Sequence, residues 1–143
     1  MDKAKQVELL KNSRLFSNFS AQECQSVLGT AKARAFKAGD VIVKEGDVGG
    51  VGFYLVLDGA VEVRKGGKVL AAMKQGEFFG EMALLLGKDT PRSADVVATA
   101  PTHCLVLSRW DLRSLVKTHP DMALKMMAAL ALRLGHADHL ACQ

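Results

Sequence analysis

From Arg34 to Leu107 the apolar residues recur in short runs with a period of two, each run cut off by glycine, and this rhythm constrains the fold more than any other feature. Successive side chains on a strand point to opposite faces, so a period of two selects β structure. Val41-Ile42-Val43 is short and β-branched, and Phe53-Tyr54-Leu55-Val56-Leu57 is a nearly continuous apolar run. Asp58-Gly59 carries a two-residue hairpin signal and leads into Val61 and Val63, which alternate with Glu62 and Arg64. Gly66-Gly67 turns the chain, Val69-Leu70-Ala71-Ala72-Met73 returns, and Gln75-Gly76-Glu77 turns it again. Asp95 to Thr99 and His103 to Leu107 read as two more strands. Many short strands at this spacing predict an antiparallel barrel or sandwich.

Helical patterns flank this region. Asp2 to Leu15 places Val7, Leu9, Leu10 and Leu15 among Lys, Glu and Gln, the pattern of a short amphipathic helix. Ser20, with Glu23 three positions on, forms a capping box that opens a second helix toward Leu28, and Gly29 is placed to end it. After Leu107, Ser108 or Asp111 can cap a segment through Leu112, Leu115 and Val116. Pro120 breaks that segment and suits the first turn of the next helix. The last helix carries Met122, Met126, Leu130 and Leu134 as a stripe, with Met127 beside it and Gly135 interrupting it.

The 143 residues fit one domain with one core. The helical part spans 1–33, the β part 34–107 and the C-terminal helices 108–143, so the class is mainly β with flanking α-helices. A net charge of +4 is modest, and Lys and Arg are scattered singly, which argues against DNA binding by this chain alone. Cys24, Cys104 and Cys142 form no C-x-x-C pair; their odd number and the lack of an N-terminal apolar run point to a reducing cytoplasm. Cys24 and Cys104 sit in apolar patterns and read as buried spectators, Cys142 as an exposed thiol. No run approaches the ~20 apolar residues that a membrane span needs.

One stretch breaks the alternation. Phe79-Gly80-Glu81-Met82-Ala83-Leu84-Leu85-Leu86 is followed shortly by Pro91-Arg92-Ser93-Ala94-Asp95-Val96. Glu81 and Arg92 stand on either side of one short loop. A carboxylate only accepts hydrogen bonds and suits a sugar diol; a guanidinium offers a rigid fork of donors and suits a phosphate. Gly80 allows close backbone approach and begins a short helix over Glu81 to Leu86, whose first amides lack internal partners and seat an anion.

The stretch resembles the phosphate-binding cassette of the cyclic nucleotide-binding domain family, through Phe79, Gly80, Glu81, Ala83, Leu84, Arg92, Ser93, Ala94 and Val96. The resemblance places the cassette at 79–96. It sharpens the fold to an antiparallel jelly-roll, a catabolite activator protein-like β-roll, with an N-terminal helical segment and C-terminal lid helices. It implies a cytoplasmic, non-enzymatic cyclic nucleotide receptor with cAMP as ligand, or cGMP, and no further cofactor. Gly80 and the amides around Met82 and Ala83 would face the cyclic phosphate, and Arg92 would pair with an exocyclic oxygen. Ser93 would add a hydroxyl and an amide beside Ala94, and Glu81 would accept from the ribose 2′-hydroxyl. Val63, Leu70 and Met73 would form the base slot, with the last helix as lid. Matching the Leu134 region puts Ala137 and Asp138 near the base, where Asp138 can accept from an adenine amino group or from guanine donors. Family frequency favours cAMP over cGMP. The Glu81-to-Arg92 separation exceeds that of close relatives by a residue or two, with the extra length in Gly87-Lys88-Asp89-Thr90.

Other chemistries fit the sequence less well. Asp47-Val48-Gly49-Gly50-Val51-Gly52 reads as a flexible turn and not as a dinucleotide fingerprint, since G-x-G-x-x-G and a βαβ context are both absent. Gly87-Lys88 is followed by Asp89, which does not fit a Walker-type loop. A cupin-type enzyme needs clustered ligands on facing strands, yet of His103, His119, His136 and His139 only His103 lies on a strand; His136 and His139 are one helical turn apart with no evident third ligand. An interaction module of the same fold, with an empty or differently filled pocket, is the competing reading. No helix-turn-helix follows Leu140 and no membrane span precedes the domain. The expected output is therefore a partner protein, or an effector domain of a larger regulator of which this chain is a fragment. The stripe on the last helix serves either a homodimer seam or packing on the chain's own roll.

Overall fold

The computed structural model of the chain describes residues 1–47, 52–81 and 91–141, with 136–141 described by their backbone alone. Helix α1 (Lys3–Asn12) starts at Asp2, whose side chain accepts from the Lys5 amide at 2.8 Å. It stops short of the expected Leu15, because Ser13 turns extended and is buried with its hydroxyl donating to the Leu10 carbonyl. Helix α2 (Ala21–Thr30) opens on the capping box: Ser20 Oγ accepts from the Glu23 amide (3.1 Å), and Glu23 Oε1 accepts from the Ser20 amide (2.9 Å). Gly29 does not end α2. The helix runs to Thr30 and stops at Ala31, which is extended and leads straight into the first strand, so no left-handed cap is used.

Eight strands follow: β1 (Lys32–Phe36), β2 (Val41–Val43), β3 (Phe53–Asp58), β4 (Ala60–Lys65), β5 (Lys68–Lys74), β6 (Phe78–Phe79), β7 (Asp95–Ala98) and β8 (Thr102–Leu107). They form two four-stranded antiparallel sheets, ordered β1-β8-β3-β6 and β2-β7-β4-β5. Gly66-Gly67 joins β4 to β5 as a two-residue hairpin with Lys65 opposite Lys68, and both glycines have positive φ (+58° and +77°), as a primed turn requires.

Asp58-Gly59 is not the expected hairpin. β3 and β4 lie in different sheets, and Gly59 is the corner where the chain crosses between them. Its φ is +104°, and an added Cβ would lie 2.5 Å from both the Pro101 carbonyl oxygen and Thr102 Oγ1. The fully buried Thr102 hydroxyl closes the corner, accepting from the Ala60 amide (3.3 Å) and donating to the Ala100 carbonyl (2.8 Å).

The apolar run of β3 is explained by burial on both faces. Phe53, Leu55 and Leu57 face a helix-side core with Leu10, Phe16, Leu105 and Met122. Tyr54 and Val56 face the roll interior with Val61, Met73, Phe79, Val96 and Cys104. One sheet therefore separates two cores, where a single core was expected. Cys24 and Cys104 are both buried and free, and Cys142 lies outside the described residues.

Helix α3 (Arg109–Thr118) is capped by Ser108, whose Oγ accepts from the Asp111 amide at 3.1 Å. It buries Leu112 and half-buries Leu115 and Val116. Pro120 stands just before α4 (Asp121–Ala141), which passes through Gly135 without a break. Met122 and Met126 are buried and Leu130 packs on the helix-side core, but Leu134 is 64% exposed. An i+4 row advances about 40° around a helix at each step, so Leu134 lies about 120° from Met122, whereas Arg133 returns to within about 20° of it. Arg133 takes the inward place expected for Leu134.

Candidate functional site

The roll, the segment around Arg92 and α4 enclose a cavity of about 910 Å³, mostly apolar. Of the expected site residues, Gly80, Glu81, Arg92, Ser93, Ala94, Val63, Leu70 and Met73 all line it. Met82 and Ala83, the remainder of the helix expected from Glu81 to Leu86, and the long stretch Gly87–Thr90 lie outside the described residues, as do Val48 to Val51. Ala137 and Asp138 belong to α4, but their side chains, with those of His136 and His139, are outside the description.

Arg92 is 8% exposed, and its guanidinium is held by backbone carbonyls: Nη1 donates to Gly80 O and Nη2 to Gly52 O, each at 3.0 Å. Its own backbone is clamped to the turn after β2, donating to Asp47 O (2.8 Å) and accepting from the Gly46 amide (2.9 Å). No carboxylate among the described residues reaches ion-pair distance of it. Burial pushes the Arg92 pKa below the ordinary arginine value, partly offset by Tyr54, Glu81 and Asp47 nearby. A buried guanidinium served only by neutral acceptors favours an added negative charge.

Gly80 makes this geometry accessible. Its φ is +87°, and a Cβ there would lie 2.7 Å from Gly52 O and 3.1 Å from Arg92 Nη1. The missing side chain is the space in which two carbonyls and the guanidinium meet. Glu81 follows at 7% exposure. Phe79 stacks on Tyr54 with ring centroids 4.8 Å apart and fixes the start of this segment against β3.

The apolar wall comes from β4 and β5. Met73 is buried, Val63 half-buried and Leu70 46% exposed, as for a strand whose inner face borders an open cavity. Ala94 is buried in the wall and Ser93 exposed at it.

Sequence reasoning missed Arg133. Its Nη1 donates to Glu81 Oε1 at 3.1 Å, its Nη2 donates to the Phe78 carbonyl, and its guanidinium lies 4.5 Å from the Phe78 ring centroid. The helical angle that carries it inward is computable from sequence, but the strand it meets is not. Lys125, one of the other lining residues, donates to Ser17 Oγ at 2.9 Å and ties α4 to the turn after α1. Among the described residues, five basic ones line the cavity (Arg14, Lys68, Arg92, Lys125, Arg133) against two acidic ones (Glu77, Glu81), a balance that draws in an anion. No group of three metal-ligating side chains occurs among the described residues, and no helix among them is long and apolar enough to cross a membrane.

Comparison with known proteins gives the same direction. The family model described as cyclic nucleotide-binding domain matches residues 33–119. The chain is 37% identical over 134 residues to the cyclic AMP receptor protein of Thermus thermophilus, covering 90% of this chain and 61% of that protein. It is 37% identical over 102 residues to the cAMP-dependent protein kinase regulatory subunit of Yarrowia lipolytica, covering 71% of this chain and 26% of that one. The crystal structure of the Thermus thermophilus catabolite activator protein superposes with a TM-score of 0.75 at 36% identity, over 90% of this chain and 62% of that one. The chain thus spans less than two thirds of the length of these two curated relatives. The matched segment takes in both sheets, the cassette and α3, and on that ground the chain belongs to the cyclic nucleotide-binding domain family.

Proposed function

We propose that the chain is a non-catalytic regulatory receptor for a cyclic nucleotide monophosphate, with cAMP preferred over cGMP. The observation that carries this reading is the presence of a buried guanidinium and a buried carboxylate, Arg92 and Glu81, in the wall of one mostly apolar cavity. Its volume of about 910 Å³ lies within the roughly 300–1,000 Å³ of small-molecule sites. In this reading the ring phosphate meets Arg92, Ser93 and the amides of Met82 and Ala83. The ribose 2′-hydroxyl donates to Glu81, and the base lies on Val63, Leu70 and Met73 with Ala137 and Asp138 beside it. The names of the two curated relatives support cAMP as the ligand.

Residues 1–143 act as one binding unit in the cytoplasm, in three parts: helices over 1–33, roll over 34–107, helices over 108–143. Helix α4 is the output element. It forms one wall of the cavity through Ala129, Leu132 and Arg133, so a ligand held by the cassette bears directly on it. Occupancy shifts α4 toward the roll only to the extent that the closed form binds more tightly. The signal passes to a protein partner or to an effector domain of a larger regulator.

Thermal unfolding with cAMP, cGMP, 5′-AMP and no ligand tests the reading. At about 100 Kd a ligand stabilises by roughly 2.7 kcal/mol, which for a chain of this size raises Tm by several degrees. The expected result is a shift with cAMP, a smaller one with cGMP and none with 5′-AMP. No shift with either cyclic nucleotide at millimolar concentration refutes the receptor reading.

A further inference from the structure

We infer that the outer face of α3 is a docking surface for an acidic protein segment, built on Trp110 with the guanidiniums of Arg109 and Arg113 against its ring and continued by Lys117. The inference goes beyond the receptor reading and does not depend on it, because it concerns a face outside the cavity: no described residue of α3 lines that cavity.

Leu112, Leu115 and Val116 turn one side of α3 onto the helix-side core. At about 100° per residue, Trp110, Arg113 and Lys117 fall on the opposite side. Trp110 is the only tryptophan of the chain, a residue type that is highly buried on average, and here it is 67% exposed. Its ring is not loose in solvent. Arg109 Cζ lies 5.3 Å and Arg113 Cζ 5.9 Å from the ring centroid, two cation–π contacts that order the side chain before any partner arrives. A pre-ordered ring loses less freedom when it is covered, and tryptophan and arginine are the residue types that most often anchor protein interfaces.

The charge around the ring selects the occupant. Arg109, Arg113 and Lys117 follow at intervals of four, one above another along about 12 Å of helix. None of the three makes an ion pair with a described carboxylate. Asp111, the acidic residue of α3, lies about 160° round the helix from Arg113. Like charges at this spacing repel, and Arg109 in the first turn also opposes the helix dipole, which favours a carboxylate there. A row that disfavours the helix by itself is complementary to carboxylates on a partner, which an arginine fork can grip with two parallel bonds while an apolar side chain meets the tryptophan rim. A nucleic acid suits the face less, because the ring on which a base would stack is already engaged by two guanidiniums. A membrane suits it less, because the exposed side of α3 surrounds Trp110 with Arg113, Ser114 and Lys117 and offers no second apolar side chain to insert.

The lone tryptophan makes the surface its own reporter. A random-peptide phage library is selected on the intact chain and counter-selected on Arg113→Glu, and a recovered peptide is titrated while Trp110 emission is read. Recovered peptides should be net acidic with an aliphatic or aromatic residue, should shift the emission to the blue, and should bind more weakly as salt rises. By calorimetry, Arg113→Glu and Trp110→Ser should each weaken that peptide by roughly tenfold or more while melting within about 3 °C of the unaltered chain. Arg113→Gln repeats the comparison without reversing the charge and carries the test should Arg113→Glu fail to fold. Recovery of no peptide, recovered peptides without acidic excess, equal affinity for the Arg113 variants or an unmoved Trp110 emission overturns the inference. Tighter binding of oligothymidylate or of phosphatidylserine vesicles than of the peptide overturns it too, and assigns the face to a nucleic acid or a membrane. Because no cyclic nucleotide is present in these titrations, failure here leaves the receptor reading standing, and failure of that reading leaves this result standing.

Discussion

Replacing Gly80 by alanine should damage fold and site together. At φ +87° an L-residue pays roughly 1–2 kcal/mol for the left-handed backbone. The new Cβ would lie 2.7 Å from Gly52 O and 3.1 Å from Arg92 Nη1, so one of the two carbonyl bonds of the guanidinium must lengthen or break. A hydrogen bond to a charged donor is worth about 1.5–3 kcal/mol. Together the loss is about 2.5–5 kcal/mol. A chain of 143 residues unfolds with an entropy near 0.3 kcal/mol per kelvin, so Tm should fall by about 8–17 °C. Differential scanning calorimetry without ligand reads that term, and titration with cAMP below the lowered Tm reads the displacement of Arg92 as weaker binding. A variant that melts within about 2 °C of the parent and keeps its affinity would refute the claim that the vacant side-chain position at Gly80 holds the guanidinium in place.

Further outcomes follow from the same structure. Arg92→Leu should lose binding by about a hundred- to several-thousand-fold, the roughly 3–5 kcal/mol of a broken buried charge pair, while circular dichroism still reports a folded chain; near-parental affinity by calorimetry would remove Arg92 from the site. The Glu23 carboxyl is held below its ordinary value of 4.5, first by the Ser20 amide and then by His119. Because the folded pKa lies below the unfolded one, this contribution is complete above about pH 4.5 and is lost as pH falls through the folded value. The Tm advantage of the parent over Glu23→Gln should accordingly narrow on acidification below that pH, and an advantage that grows instead would contradict the assignment. Burial pushes the Cys104 thiol up to about 12, so iodoacetamide at pH 8 should leave it unlabelled, by mass spectrometry, until denaturant is added.

Local chemistry was readable from sequence wherever it was self-contained. The Ser20–Glu23 capping box, the Gly66-Gly67 hairpin and the Ser108 cap each depend on neighbours within a few residues, and each formed as expected. Asp58-Gly59 marks the limit of that logic. The dipeptide announces a positive-φ turn, and the turn is there, but whether it closes a hairpin or crosses between sheets depends on β8 and β5 competing for the two strands. The site divides in the same way. Glu81 and Arg92 lie in one contiguous motif with evident chemistry, and both line the cavity. Arg133 lies 52 residues from its Glu81 partner and was hidden by the i+4 stripe that pointed to Leu134. Counting about 100° per residue instead of four residues per turn would have turned Arg133 inward; finding Glu81 and Phe78 opposite it required the fold.

The sheet β1-β8-β3-β6 works as a party wall, with Leu55 and Leu105 on one side and Val56 and Cys104 on the other. Changes at helix-side positions that do not border the cavity can therefore adjust how firmly the chain holds together while leaving the upholstery of the opposite chamber untouched. Protein engineers seeking a sturdier sensor with unaltered ligand preference should begin with Leu10, Phe16 and Leu105 and leave Tyr54 and Phe79 alone.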